Sequence, residues 1–519
     1  MKSIKYTGLA LTSLMVFAAC QDDFLENDPT RFSSEEDVNK TMQLDPSNVQ
    51  AYVTGAYFNL YCGGDYWMSH DDFGLPAIKL ATDLNCEDIA YTRDQTWFCY
   101  DYQLDNRLKT YRRTNSMWNQ LYNVIDNSNT IITMLKPAEG EDPSSDEAKI
   151  MLGEAYTLRA YCYFWLINLY QHPYSVDKNA PGVPLKTETV YRQERVPVGE
   201  IYDQILADID LGYTYLKGEG FFSGNGALSE YSAAAIYANI LLFTGDYAKA
   251  ASYAEIAATS KGLNSKSEML SGFNSLDMTE VIWGYNVNNE TTGYYASLFS
   301  HIDPYMIGYG GNVGYRKGIA SALYDEISDD DIRKQWFGYN DSYNLLAVSY
   351  AYEESYSDGT DSYDLTTFIQ NKYRDIYLTS MGSADPFTSA IIYFRSGEMY
   401  FVAAEAYYLA GNNAKAKEML ETVMQTRIDG YTADAAGRSL YDEIKIQKRI
   451  ETFMEGDRYL DVKRRGETID RSASINHAAD VKTVFDAWVY EATDYRMIYQ
   501  IPTKELENNP SINDEDQNP

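Results

Sequence analysis

The chain has 519 residues, 45% of them hydrophobic, and carries a formal net charge of −33 at pH 7. That apolar fraction fills a large core and excludes a chain disordered throughout. The negative field repels phosphate backbones and anionic headgroups, which excludes nucleic acid as a partner and excludes side-chain docking on an anionic lipid surface.

The N-terminus reads as an address. Lys2 and Lys5 precede an apolar run from Leu9 to Phe17, too short to span a bilayer and suited to a signal-peptide core. The run ends in Phe17-Ala18-Ala19-Cys20, which resembles a lipobox with Phe where Leu is usual. Residues 1–19 are therefore expected to be a lipoprotein signal peptide and Cys20 the acylated residue. Two or more acyl chains anchor a protein stably, at about 0.8 kcal/mol per buried CH₂. Gln21-Asp22-Asp23 resembles an acidic tag that sends such lipoproteins to the cell surface. No later stretch offers 18 consecutive apolar residues.

Helical spacing follows. Segment 48–62, with Val53, Ala56, Tyr57 and Leu60, is expected to pair with 117–135, where Trp118, Leu121, Tyr122, Ile125 and Ile132 recur. Roughly fifty residues separate them, against about two to eight for an ordinary helix connection, so the insert is functional or disordered. Its Tyr66, Trp67, Phe73, Tyr91, Trp97, Phe98, Tyr100 and Tyr102 make it too aromatic for disorder. Residues 153–174 read as one amphipathic helix ending at Pro173, with an apolar stripe of Leu158, Cys162, Trp165, Leu166 and Leu169. Gly153, Ala155 and Ala160 leave room for a close neighbour, expected in 198–216 with its stripe of Ile201, Ile205, Ile209 and Leu216. Two stretches repeat one device. A helix ends at Gly245 or Gly411, the chain turns, and an alanine-rich helix begins at Ala248-Lys249-Ala250 or Ala414-Lys415-Ala416. Gly permits the turn and Ala lets the helices touch, as in tetratricopeptide units. The expected fold is mainly α, a tetratricopeptide-like superhelix of four irregular helix pairs with long loop insertions.

Catalytic signatures are missing. The four histidines, His70, His172, His301 and His477, show no metal-ligand spacing, and no G-x-S-x-G elbow or P-loop occurs. Asp329-Asp330-Asp331 lacks the glycine and spacing of a calcium loop and reads as a helix cap or a wet face. No spacing fixes a disulfide among Cys62, Cys86 and Cys99, and Cys162 reads as a small core residue. No cofactor, metal or catalytic residue is assigned.

Several motifs together carry a resemblance. They are Gly153-Glu154-Ala155 with Leu158-Arg159-Ala160-Tyr161, then Gly182-Val183-Pro184-Leu185; Arg395 and Glu398 ahead of Ala404-Glu405-Ala406; Arg449 to Gly466; and Ile501-Pro502 with Glu505, Asn509 and Pro510. In this order they resemble the SusD/RagB family of nutrient-binding outer-membrane lipoproteins, over nearly the whole span from Cys20 to Pro510. The resemblance implies one SusD-like domain over 20–519, with an N-terminal part at about 20–340 and a C-terminal part at about 385–519. It also implies a lid over a SusC-like TonB-dependent transporter, anchored to the outer membrane through Cys20, facing the cell exterior and binding oligosaccharide. A peptide ligand, as on the RagB side of the family, is the alternative; a glycan-degrading enzyme is a third reading. In the charged block, Glu455 with Arg458 and Asp461 with Arg465 have the spacing of salt bridges along one helix, a structural role.

The ligand is expected on the aromatic loops, including the irregular stretch 283–316 and the Tyr-, Ser- and Asp-rich stretch 336–364. Sugar rings lie flat on Tyr or Trp, and their hydroxyls bond to Asn, Asp and Arg. The candidates are Trp67, Trp97, Tyr100 and Tyr295, then Tyr66, Tyr91, Tyr294 and Tyr305, with Asp65, Asp72, Arg93 and Asn312 as polar partners.

Overall fold

Seven helices laid side by side make the scaffold. The computed structural model describes residues 48–62, 69–91, 97–220, 226–311, 317–338, 365–477 and 488–519, with the backbone of 356–357 and 362–363. The chain forms two units, Met1–Ala51 and Tyr52–Pro519, and of the first only residues 48–51 are described. Helix α1 is Val49–Cys62 and α2 is Leu75–Leu84, inside the aromatic insert. The stack itself runs through α3 (Arg112–Leu135), α4 (Asp146–Tyr170), α5 (Val198–Leu216), α6 (Glu230–Thr244), α7 (Tyr247–Ala258), α8 (Ser396–Leu409) and α9 (Asn413–Met424), each packed on the next. Helices α10 (Leu440–Glu451) and α11 (Asp457–Arg465) close the C-terminal end. The chain is mainly helical, as its periodicity predicts.

Both glycine turns form. Gly245 and Gly411 take φ of +83° and +82°, the left-handed conformation that ends α6 and α8. Asp246 and Asn412 then cap α7 and α9 by accepting from the N–H of Lys249 and Lys415.

Helix α4 departs from its expected single stripe. Every residue from Met151 to Tyr170 is buried, because α3 lies on one side and α5 on another. A helix enclosed all round needs partners for its polar groups. Arg159 donates to both oxygens of Asp208, at 2.6 and 2.8 Å, and also to Glu188 and Asn129. Glu154 accepts from Tyr57 of α1 at 2.6 Å. A Cβ on Gly153 would stand 2.7 Å from Leu216 Cγ, so the small residue does admit the close neighbour.

Two expectations are corrected. The partner of α3 is α4, which follows it after residues 136–145; α1 meets α3 through Gln120, whose amide donates to Asn59 O and Leu60 O, and turns its rings elsewhere. Tyr61 stacks on Tyr285 at 4.3 Å and Tyr57 meets Trp283. In the charged block the helix stops at Glu451 and resumes only at Asp457, with Met454 and Gly456 at φ +64° and +86° in the turn between, so Glu455 and Arg458 do not share a helix face. Glu455 instead binds Lys372 and Arg395, while Arg458 binds Glu87 and Glu467. Asp461 and Arg465, both on α11, pair at 3.2 Å as expected.

Behind that block lies a buried ionic network. Glu451 accepts from Arg427 at 2.8 Å, Arg395 at 3.0 Å and Arg333 at 3.3 Å. Glu280 joins Arg395 and Arg427, and Asp331 caps the short helix Ile332–Trp336 while pairing with Arg333. These charges tie α10, α8 and the strand ladder β2 (Val281–Tyr285) with β4 (Ile391–Arg395) into one core. A second antiparallel ladder pairs β1 (Ile89–Tyr91) of the insert with β3 (Lys317–Ile319). The four described cysteines, Cys62, Cys86, Cys99 and Cys162, are buried and form no disulfide among the described residues.

Candidate functional site

The β1–β3 ladder brings the insert against the loop that follows β2, and the aromatic residues of both meet there. The layer beneath is rigid. Arg113 of α3 donates to Asp71 and Asp101 at 2.8 to 3.1 Å and to the Asp71 carbonyl at 2.6 Å. Burial opposes the Asp71 charge, but Arg113 and then Arg112 override it and hold its carboxyl below the ordinary range. The Arg113 guanidinium also lies 4.6 Å from the Phe98 ring, which meets Phe73 at 5.9 Å and His301 at 5.0 Å. His301 Nε2 bonds to His70 O at 2.9 Å, and Lys317 Nζ donates to His301 O at 3.2 Å. Burial, and after it the Lys317 ammonium, push His301 down to about 3, so its ring is neutral at physiological pH. Burial pulls Lys317 itself down to about 7, against Asp101.

Four rings stand on this layer. His70, Trp97, Tyr295 and Tyr309 have centroids 5.5 to 6.2 Å apart. His70 and Tyr309 are hydrogen bonded, and Tyr309 also stacks on His301 at 4.9 Å. Tyr295 is 45% exposed, His70 is exposed, and Trp97 and Tyr309 are half-buried, so the cluster opens to solvent. Gly308 and Gly310 flank Tyr309 where a Cβ would lie 2.6 Å from Ser300 O and 2.7 Å from Asp303 O. The loop can approach the helix below only with glycine there. Phe387 supports Tyr295 at 5.8 Å, and Thr292 Oγ1 donates to Phe387 O at 2.6 Å. Phe98, Tyr294 and Phe387 all hold positive φ, of 73°, 50° and 61°. Bulky residues in that region store strain, a feature that clusters where ligands are held.

The candidates separate by burial. Trp97 and Tyr295 sit in the cluster, and Tyr294, 57% exposed, adjoins it. Tyr100 is 53% exposed but pairs with Tyr111, away from these rings. Three candidates lie buried. Tyr91 is buried and donates to Trp97 O at 3.1 Å, so it braces the platform from behind. Tyr305 is buried beneath the Arg374 guanidinium. Asp72 is buried with Arg112, Arg113 and Ser116. Trp67, Tyr66, Asp65, Arg93, Asn312 and Cys20 lie outside the described residues. Sequence reasoning missed His70, Tyr309 and Phe387. The sequence signal for His70 is its place among the aromatic residues of the insert.

Comparison with known proteins bears on this geometry. A family model described as "Starch-binding associating with outer membrane" matches residues 24–242, and a second, described as "SusD family", matches residues 256–519, just over half the chain. A curated relative, SusD-like protein P2 of Formosa agariphila, is 26% identical over 262 residues; the match covers 49% of this chain and 46% of the relative, so the chain spans about half the length of that protein. A SusD-like carbohydrate binding protein from Bacteroides vulgatus superposes with a TM-score of 0.73 at 19% identity, covering 91% of this chain and 97% of the other. A SusD superfamily protein from Bacteroides thetaiotaomicron gives 0.72 at 21% identity, with 91% and 99% covered. Surface glycan-binding protein A of Bacteroides uniformis gives 0.63 at 16%, with 91% and 99% covered. At such identities the likeness establishes the fold, and the family models establish the lineage: the chain belongs to the SusD family.

Proposed function

We propose that this protein is a lipid-anchored surface lipoprotein that captures oligosaccharide on the His70–Trp97–Tyr295–Tyr309 platform and passes it to a SusC-like TonB-dependent transporter in the outer membrane. The observation that carries the reading is the solvent-open ring cluster on a buried, ion-paired base. Sugar C–H faces stack on such rings, and the rigid base spares the ligand the cost of ordering them. The likeness to a carbohydrate binding protein and to a surface glycan-binding protein supports a saccharide. The tether would be Cys20. Capture precedes release, so the affinity is expected to be modest, with Kd of about 10 µM to 1 mM, or about −7 to −4 kcal/mol. The chain binds without breaking a bond in this reading.

The test is calorimetric titration against a saccharide and peptide panel, with Trp97→Ala and Tyr295→Ala alongside. Saccharide binding weakened at least tenfold in both variants, with Tm unchanged, is the expected result. Binding of peptides alone would refute the saccharide and leave a peptide-capturing lid.

A further inference from the structure

A second group of rings stands beside the platform, and nothing in the reading above uses it. Tyr100 and Tyr111 meet edge to face at 5.6 Å, and among the described residues neither touches a platform ring. Tyr100 belongs to the short helix Cys99–Tyr102, whose other three residues are buried. Asp101 is bound to Arg113, and Tyr102 is held by His477 and by Arg471, which donates to its carbonyl at 2.8 Å. Tyr100 alone of the four faces solvent. Phe98 and Leu104, on either side of this helix, hold φ of +73° and +66°. Bulky residues stay in that region only where their surroundings over-determine them, which happens most where ligands are held. Tyr111 is half-buried at the start of α3. Partial burial and then the Asp105 carboxylate push its hydroxyl above the ordinary range, so Asp105 lies close to the pair. Asp105 is itself only half-buried, and its carboxylate makes no hydrogen bond or ion pair among the described residues.

The pair and the platform share one base. Arg113 binds both Asp71, which follows His70, and Asp101, which follows Tyr100. Arg112, which follows Tyr111, binds Asp71 and Asp72. Trp97 and Tyr100 are three residues apart, so their Cα atoms lie at most about 11 Å from each other. Two fixed ring groups therefore stand within reach of one bound chain. We propose that Tyr100, Tyr111 and Asp105 form a second saccharide subsite, so that the protein selects extended chains over short ones. The proposal rests on the saccharide reading of the platform and adds a length requirement to it. A sugar face stacks on the Tyr100 ring while hydroxyls donate to Asp105. Once the platform holds one end of the chain, contact with the second rings is intramolecular, and affinity rises without any new contact at the platform.

The probes are short and long members of four glycan series: maltose and maltohexaose, laminaribiose and laminarihexaose, xylobiose and xylohexaose, mannobiose and mannohexaose. Each is titrated calorimetrically into the full chain in a polyoxyethylene detergent, which carries no sugar. In the series that binds, the hexaose is expected to bind at least tenfold tighter than the disaccharide. Tyr100→Ala with Tyr111→Ala should remove that gain, with the disaccharide affinity and Tm unchanged. Tyr100→Phe keeps the ring and should keep the gain. Trp97→Ala should weaken both lengths alike. Equal affinity for the two lengths overturns the inference and leaves the platform standing. So does a gain that survives in the folded double variant, and a gain lost in Tyr100→Phe overturns stacking as its source. Failure of the platform reads differently: no series binds, or Trp97→Ala leaves the disaccharide affinity unmoved, and the second subsite falls with it.

Discussion

Glu154 offers a direct measure of what enclosing α4 costs. Its side chain is 4% exposed, with Tyr57 donating to it at 2.6 Å. Burial pushes the carboxyl from 4.5 up to about 7, the Tyr57 hydrogen bond opposing. At about 1.4 kcal/mol per pH unit, that gap corresponds to about 3 kcal/mol. Between those two pH values only the folded state holds the proton. The stabilisation is therefore fully present below pH 4.5 and is lost as pH rises to about 7. Glu154→Gln keeps an acceptor for Tyr57 and cannot ionise. The variant is expected to match the parent within about 1 kcal/mol at pH 5 and to exceed it by up to about 3 kcal/mol at pH 8. Urea unfolding at pH 5, 6, 7 and 8 measures the difference. A gap between the two proteins that stays constant across this range would refute the reasoning, since no other property of the substitution depends on pH in that window.

Gly212→Ala in α5 sets helix propensity, worth about 1 kcal/mol in favour of Ala, against a Cβ placed 2.3 Å from Thr157 Oγ1. The clash wins, and a net loss of about 2 kcal/mol or more is expected in urea unfolding. Glu451→Gln removes the carboxylate shared by three buried arginines and should cost about 3–5 kcal/mol, read as a fall in the urea midpoint. Lys317→Met removes an amine that burial holds at about 7. The unfolded chain binds that proton more tightly, so the penalty is full below pH 7 and fades towards pH 10.5. The variant should gain more stability over the parent at pH 6 than at pH 9 by the same assay.

Local signals were the legible ones. Gly245 and Gly411 sit where only left-handed backbone continues the chain, so a glycine followed by alanines reads as a turn between helices without tertiary knowledge. Gly153 likewise announces a close neighbour, and Leu216 is there. What stayed hidden depends on contacts far apart in sequence. The α1–α3 pairing failed because Tyr57 and Tyr61 find Trp283 and Tyr285 instead. The single charged helix failed in the turn between Glu451 and Asp457, where Met454 and Gly456 take positive φ and Glu455 and Arg458 go to different partners. Among the loop aromatics, Tyr91 and Tyr295 look alike as letters. Their burial differs because β1 pairs with β3 over the first and nothing described covers the second. His70 and Tyr309, 239 residues apart, become a pair only in the fold.

Saturation-transfer NMR tests the platform most directly. Aromatic protons of the protein are irradiated in the presence of the saccharide found by titration, and the signal reaching each sugar proton is recorded. The account predicts transfer to the ring C–H protons of one sugar face, falling sharply in Trp97→Ala and Tyr295→Ala while both variants keep the parent's Tm. Undiminished transfer to the same protons in both folded variants would contradict it and move the ligand off these rings.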